Sequence, residues 1–552
     1  PAFPEPANPT SDDYSARTHL PRENTELWLE HYFSNLGPIE QRELYLDGRM
    51  SSMFRDEPVL DDMRYDQLFM HHHADDDVIF KAAIQKRVRR STRARNEQQV
   101  LQKQHLGPIL FDALARLLRL PSAGPDFDLE LYTRCIHENE LNKLSTPIAR
   151  LLANVDRSDP TWAINFLQIF QKAQRKEKTE SLVPDSSGIV PGKPSQTLAC
   201  ASDAYVLLFG PLGRYITEKI FAYKSEATYV HSRTGPLQLD LWVKAHLDRP
   251  RLCTTNDFTA FDQSQTADAL ALELQVLRFL QIPESFISLY VEIKVETRSF
   301  LGVLAIMRFT GEWCTFLFNT LFNMAYTSLM YELGPDTACA FAGDDSIILA
   351  AVTPAPSWQF FRSAFDLKSK IQITRRPEFV GWFLTPDGIY RNPTLINFKL
   401  HRAVQRDAVE KVAQSYFLES MFAYRMQDSF FDHATEEDAA MHQENLRMFL
   451  KHSRHIPSIG LMHSDPKLRI FLKLHSLIGY RGARRAYKKH QLDEGAELLE
   501  ILNLARGAAE SRDMQQELSL VDSAISVAQT PSDGPYDQDE FDPLADVLDD
   551  LE

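Results

Sequence analysis

Cys339-Ala-Phe-Ala-Gly-Asp-Asp-Ser-Ile-Ile-Leu349 sets two adjacent carboxylates, Asp344 and Asp345, at a tight turn between two apolar runs. Upstream, Cys253-Thr-Thr-Asn-Asp-Phe-Thr-Ala-Phe-Asp262 places Asp257 and Asp262 where an apolar stretch gives way to a helix. A strand-ending aspartate beside a hairpin-turn aspartate can hold two Mg2+ ions against the attacking and leaving oxygens of a phosphoryl transfer. Each segment alone also has a purely structural reading. Gly343 can serve a hairpin turn with Asp344 and Asp345 as solvated turn residues. Asp257 and Asp262 can stand at the N-terminal end of a helix, which favours carboxylates.

A third segment lies between them. Thr310-Gly-Glu-Trp-Cys-Thr-Phe-Leu-Phe-Asn319 carries Thr310 and Gly311, then Thr315 and Asn319 four residues apart, with Asn323 one turn further. That spacing puts Thr315, Asn319 and Asn323 on one helical face. Polar residues repeated along a Phe/Leu-rich helix point at a site, because burying them unpaired is costly.

In this order the three segments resemble motifs A, B and C of the RNA-dependent RNA polymerases of positive-strand RNA viruses. Asp257-Phe-Thr-Ala-Phe-Asp-Gln-Ser-Gln265 is most similar to the alphavirus-like group and, within it, to tymovirus and potexvirus relatives. The motif-bearing stretch covers residues 77–392. The resemblance implies an α+β right-hand fold, with an antiparallel-sheet palm and mostly helical fingers and thumb. It implies that Asp257, Asp344 and Asp345 hold two Mg2+ ions, with Mn2+ able to substitute. Asp262 and Asn319, with Thr310, Gly311 and Thr315 beside them, would receive the nucleotide and recognise its ribose 2'-hydroxyl. Telling RNA from DNA needs a donor or acceptor aimed at that hydroxyl.

Further resemblances flank the core. Phe170-Gln-Lys-Ala-Gln-Arg-Lys-Glu-Lys178 resembles motif F, a basic fingers loop over the nucleotide channel. Lys172, Arg175, Lys176, Lys178 and Lys193 can offset triphosphate charge as pyrophosphate departs. An ordinary exposed loop is the other reading, and Ser195 stands where the family's Gly-Gln-Thr has glycine. Asp366-Leu-Lys-Ser-Lys-Ile371 resembles motif D, whose lysine protonates pyrophosphate; Lys370 fits best, with Lys368 the second candidate. Pro377-Glu-Phe-Val-Gly-Trp382 resembles the primer-grip turn, with Val380 in place of the usual cysteine. Gln85-Lys-Arg-Val-Arg-Arg90 is similar to a Lys-Arg-Leu-Arg pattern in potexvirus-like chains.

The chain has 552 residues, too many for one simple domain and consistent with about three lobes, and 44% hydrophobic content is ample for a core. The expected organisation is a partly disordered N-terminal extension (1–60), fingers and the start of the palm (61–250), the palm (251–400), a helical thumb (401–490) and a largely disordered acidic tail (491–552). Helical patterning is expected over residues 24–54, in an amphipathic helix over 263–280 packed under the palm sheet, and over 358–367. Residues 313–330 read as a buried helix rather than a membrane span, because Asn319 and Asn323 interrupt them. His71-His72-His73 suits a surface or helix-capping role, since consecutive residues cannot all face one ion. Five scattered cysteines suggest neither a zinc site nor a disulfide framework and suit a reducing compartment. A start at Pro1 without methionine fits release from a longer precursor, and equally an artefact of how the chain was cut.

The formal net charge is −16. Residues 491–552 hold 17 acidic and 2 basic residues, so the remainder is nearly neutral. Within that remainder, residues 81–95 carry seven Lys and Arg without an acid, among them Lys86, Arg87, Arg89 and Arg90. Residues 451–489 carry ten against Asp465, among them Arg484, Arg485 and Lys488. Such clusters are the footprint of RNA phosphate contacts, or else a solvated helical face. The tail reads as a solubilising segment, with an acidic-hydrophobic partner motif around Phe541-Asp-Pro-Leu-Ala-Asp-Val-Leu548 as the sharper alternative.

The expected activity is RNA synthesis on an RNA template from nucleoside triphosphates. A reverse transcriptase is the rival enzyme, though those usually carry Tyr-x-Asp-Asp at the hairpin where this chain has Ala342-Gly-Asp-Asp. A non-catalytic RNA-binding scaffold is the rival of another class and needs neither Asp257 nor Asp344. The resemblance also implies a methyltransferase/protease/helicase replication protein as partner, through which alone the chain would reach membrane. It implies the host cytoplasm, at membrane-associated replication complexes, as location (a plant organelle envelope if tymovirus-like).

Overall fold

Five strands form the sheet on which the acidic segments sit. The computed structural model describes residues 45–46, 49–50, 69–72, 77–146, 155–172, 174–177, 195–405, 407–426 and 429–459. The fold is α+β, and the chain divides into two units, residues 1–234 with 249–380 and residues 235–248 with 381–552.

In the first unit a two-stranded antiparallel ribbon joins β1 (Gln168–Gln171) to β2 (Thr197–Cys200). The main sheet takes β3 (Thr228–Val230), β4 (Cys253–Phe258), β5 (Cys339–Ala342), β6 (Asp345–Ile348) and β7 (Ser369–Thr374) in the order β7-β4-β6-β5-β3. All its pairings are antiparallel except β5 with β3. β5 and β6 are joined by two residues, Gly343 and Asp344, with Ala342 opposite Asp345. The register of β4 sets Asn256 opposite Ser346 on β6 and Asp257 opposite Lys370 on β7.

Helices cover this sheet. α1 (Asp77–Arg87), α2 (Arg93–Lys103), α3 (Leu106–Leu118), α4 (Leu129–Leu144) and α5 (Asp203–Phe221) precede it. α3 places Leu106, Leu110, Ala113, Leu114 and Leu117 on a buried stripe at helical spacing and ends where Arg119 takes φ +57°. Rather than lying mainly under the sheet, the helix expected over 263–280 forms α7 (Ala267–Phe279), which packs most closely on α3 and α2. Its Ala269, Ala271, Leu272 and Val276 are buried as well as the expected Leu270, Leu274 and Leu277, so it is enclosed on several sides. Gly107 permits the approach: a Cβ there would lie 2.7 Å from the Ala271 carbonyl oxygen. α8 (Glu284–Glu296) follows, then α9 (Thr315–Tyr331), whose side chains from Leu317 onward are buried. The helix expected over 358–367 is shorter, an α-turn at Trp358–Phe361 and a 3-10 turn at Arg362–Ala364 before extended chain.

The second unit holds α6 (Pro236–His246), the hairpin β8 (Trp382–Thr385) and β9 (Gly388–Arg391), then α10 (Pro393–Gln405), α11 (Ala413–Arg425) and α12 (Glu436–Lys451). Ile389 N–H donates to the Asp240 carboxylate at 3.0 Å, tying α6 to the hairpin. Tyr390, Ala423, Met426 and Phe430 form one apolar cluster among its described residues.

Two early expectations change. Tyr45–Leu46 pairs with Arg49–Met50 as antiparallel strands where helical patterning was expected; the intervening Asp-Gly dipeptide is a hairpin signal. His71 and His72, for which a surface or helix-capping role was expected, stand on the strand Phe69–His72 paired with Gln174–Glu177, so the capping alternative falls away. The rest of the N-terminal extension and the tail lie outside the described residues, as do Lys178, Lys193, Arg484, Arg485 and Lys488. Among the described residues no helix is long and apolar enough to cross a membrane.

Candidate active site

Helix α9 holds the acidic turn from beneath. Gly343 adopts φ +58°, the left-handed backbone that glycine takes most easily at the first position of a two-residue hairpin loop. Its N–H donates to Thr320 Oγ1 at 2.9 Å. One turn on, Asn323 Nδ2 donates to the carbonyls of Gly343, Asp344 and Asp345 at 3.1, 3.0 and 3.2 Å. Asn323 is thus a buried brace of the turn. Its helical spacing pointed at a site, and the atoms it serves there are backbone.

Above the same helix, Asp262 is gripped from two sides. Thr310 Oγ1 donates to its Oδ2 at 2.6 Å and Asn319 Nδ2 to its Oδ1 at 2.8 Å. Gln265 Nε2 in turn donates to Asn319 Oδ1 at 2.6 Å, which fixes the amide with its nitrogen toward the carboxylate. Gln265 carried no assigned role in the sequence, because its partner lies 54 residues away. Thr315 Oγ1 donates back to the carbonyls of Phe309 and Glu312 at 2.9 and 2.8 Å, closing the loop that precedes α9.

That loop rests on β2. Ala199 N–H donates to the Thr310 carbonyl at 2.7 Å, and Gly311 has φ +103°. A Cβ at Gly311 would stand 2.1 Å from the Ala199 carbonyl oxygen, so glycine is required by both space and backbone. Below lies a buried ionic network absent from the sequence reading. Arg308 pairs with Glu273 and, at 3.6 Å, with Glu312. Lys294 Nζ meets Glu312 at 3.0 Å and the Met307 carbonyl at 2.9 Å. Tyr290 donates to Glu273 at 2.6 Å. Two cations balance two anions out of water, which fixes residues 307–312 from below.

A cavity of about 860 Å3 opens among these parts. Asp262, Thr310, Thr315, Asn319, Gly343 and Asp344 line it, together with Gly311 and Arg87. Asp257 is not in its lining. It stands on β4, 59% exposed, with Lys370 Nζ of β7 3.5 Å from its Oδ2. Lys368 presents its carbonyl to the Thr259 N–H. Asp345 is half-buried, and its carboxyl is pushed up to about 7, first by burial and then by the charges of Asp344, Asp257 and Glu378. The Val380 N–H pulls it back, offered from a β-branched residue at φ +46°. Glu378 is a fourth acid that the motif comparison did not single out. Among the described residues no three acidic, His or Cys side chains converge closely enough to hold an ion as they stand. The donor chemistry nevertheless suits a hard cation: carboxylate oxygens, one carboxyl of which is raised by burial and then by the charges beside it. Flanking thiols are buried and inert, Cys253 pushed up to about 11 and Cys339 to about 12.

The basic residues separate. Lys172 is exposed and its N–H donates to the Gln196 carbonyl at 2.8 Å, while Arg175 and Lys176 lie on the strand paired with Phe69–His72. Arg89 and Arg90 are exposed; Lys86, in the last turn of α1, is half-buried. Arg93 is shared among Glu97, Glu292 and Glu296, and Lys81 is buried. Arg87 turns inward, its Nε donating to the Ser195 carbonyl at 3.0 Å.

Residues 136–455 match the family model described as RNA dependent RNA polymerase. The chain belongs to the RNA-dependent RNA polymerase family. It is 34% identical over 445 residues to the RNA replication protein of Strawberry mild yellow edge-associated virus, covering 79% of this chain and 33% of that protein. To the RNA replication protein of Botrytis virus F it is 32% identical, covering 83% and 24%. To that of Potato virus X it is 31% identical, covering 83% and 31%. These relatives agree with membership of the alphavirus-like, tymovirus- and potexvirus-related branch. The chain spans a third or less of their length.

Proposed function

We propose that this chain is the polymerase module of a viral replication protein, extending an RNA strand on an RNA template from nucleoside triphosphates. Asp262 carries this proposal: a carboxylate held by Thr310 and Asn319, on the wall of a cavity that also reaches the Asp344 turn. A carboxylate so gripped keeps lone pairs for one more donor, and a ribose 2'-hydroxyl is such a donor. A deoxynucleotide leaves those lone pairs unmatched.

Asp257, Asp344 and Asp345 are the residues to hold Mg2+, two ions with Mn2+ able to substitute. When bound, the metal supplies charge stabilisation at the attacking and leaving oxygens. Lys370, exposed and cross-strand from Asp257, is the ammonium suited to protonate departing pyrophosphate; Lys368 is the second candidate. In this assignment the unit with the five-stranded sheet contains palm and fingers and the other contains the thumb of a right-hand polymerase. A methyltransferase/protease/helicase replication protein is the expected partner, with work done at cytoplasmic, membrane-associated replication complexes.

Purified chain should add ribonucleotides to a primed RNA template only with divalent cation, and Asp344→Ala should abolish addition with an unchanged melting curve. Near-wild-type synthesis by Asp344→Ala would sink the proposal. Preferential use of deoxynucleotides on an RNA template would indicate a reverse transcriptase instead.

A further inference from the structure

Arg87 is separated by the fold from its basic neighbours. Arg89 and Arg90, two and three residues on, are exposed, whereas Arg87 lines the cavity with Asp262, Asp344 and Thr310. Its Nε is fixed by the Ser195 carbonyl, and the charge of Asp262 acts on its guanidinium. Arg308, the other cation of the lining, is buried and held by Glu273 and Glu312. Among the described residues of the cavity, Arg87 is therefore the cation whose terminal nitrogens are not committed to carboxylates by hydrogen bonds.

A nucleoside triphosphate entering this cavity meets two carboxylates, Asp262 and Asp344, and needs positive charge near them. A guanidinium offers two parallel N–H donors that match phosphate oxygens, and anchoring by Nε leaves its outer edge for that task. We propose that Arg87 binds the phosphates of the incoming nucleotide, distinct from the RNA-backbone contacts assigned to Arg89 and Arg90. Asp262 beside it would then align the sugar while Arg87 aligns the phosphate chain. This assignment rests on the polymerase reading.

Two titrations on the full chain test it: GTP binding at equilibrium and RNA binding over a salt series, with steady-state KM and kcat for GTP alongside. Arg87→Gln should weaken GTP binding and raise KM about tenfold or more, with kcat changed less and the RNA affinity and its salt slope unchanged. The double variant Arg89→Gln/Arg90→Gln should weaken RNA binding and flatten its salt slope while equilibrium GTP binding keeps its wild-type value. Arg87→Lys should recover part of the GTP affinity, because phosphate accepts a point charge. Should Arg87→Gln fail to fold, Arg87→Lys is read by the same titrations, and it should still bind GTP more weakly than wild type. GTP affinity equal to wild type in the folded variant, or a loss confined to RNA binding, overturns the proposal. Wild-type chain that adds no nucleotide would instead strike the polymerase reading, while the GTP titration still reports on Arg87.

Discussion

Asp262 has both carboxylate oxygens engaged by protein donors before any substrate arrives. In the proposed role, a group fixed in advance would discriminate between sugars, since a mobile carboxylate would rearrange to suit either. Asp262→Ala or Asn319→Ala should therefore lower kcat/KM for ribonucleotides by roughly 10–100-fold and for deoxynucleotides much less. Equal losses for both sugars, read by single-nucleotide incorporation, would reduce the pair to a structural role. Asp345 makes a second case. Its carboxyl sits near 7, above the ordinary value, so the folded state retains a proton that the unfolded chain releases near pH 4. The associated stability is complete below about pH 4 and lost as pH rises through about 7. Metal-free protein should accordingly show a falling Tm across that window, and Asp345→Asn should remove that component. An unchanged slope in the variant would mean that another group titrates. Asp257, Asp262, Asn319 and the Gly-Asp-Asp turn were visible in sequence because their order and spacing are dictated locally. Gln265, Arg308 and Glu378 were not, because each takes its meaning from a partner brought close by folding.

Helix α9 works along its whole length, and its successive turns do different things. Thr315 closes the preceding loop, Asn319 faces Asp262, Thr320 and Asn323 hold the acidic turn, and Ser328 donates to the Ala113 carbonyl of α3 at 3.0 Å. The four-residue periodicity showed the polar face, but could not say which positions serve backbone and which serve ligand. Asn323→Ala is the variant that separates those roles. Three carbonyls of the turn would lose their side-chain donor, and a buried acceptor left unmatched costs about 1–3 kcal/mol. Nucleotide addition should fall about tenfold or more even though Asn323 does not line the cavity, because 1.4 kcal/mol corresponds to tenfold. Wild-type activity in that variant would show that the turn keeps its shape unaided. The helix over 358–367 was shortened, and α7 proved enclosed rather than one-sided, for a common reason. Apolar spacing reports that a face is buried, not how many neighbours bury it.

At the scale of the molecule the question is where the positive charge can meet RNA. The formal charge of −16 arises almost entirely from residues 491–552, which hold 17 acids and 2 bases. Composition alone therefore misleads, while location does not. Within residues 81–95 the fold withdraws Lys81 into the core, commits Arg93 to three glutamates and turns Arg87 into the cavity. Besides Arg93, the arginines that stay exposed there are Arg89, Arg90 and Arg95, fewer basic side chains than the sequence cluster suggested. Each phosphate that a protein cation neutralises adds about one unit to the slope of log affinity against log salt, somewhat less for single strands. Neutralising Arg89 and Arg90 should thus weaken RNA binding at low salt and flatten its salt dependence by about one to two units. Neutralising Arg93 should leave the slope alone, because its charge is already matched. Deleting residues 491–552 should leave RNA affinity unchanged or raise it, since the deletion removes net negative charge and no catalytic motif. If the tail engages a replication partner, its loss should spare synthesis by the isolated chain and impair replication in cells. A folded truncated chain that can no longer bind or copy RNA would place part of the catalytic module beyond residue 490.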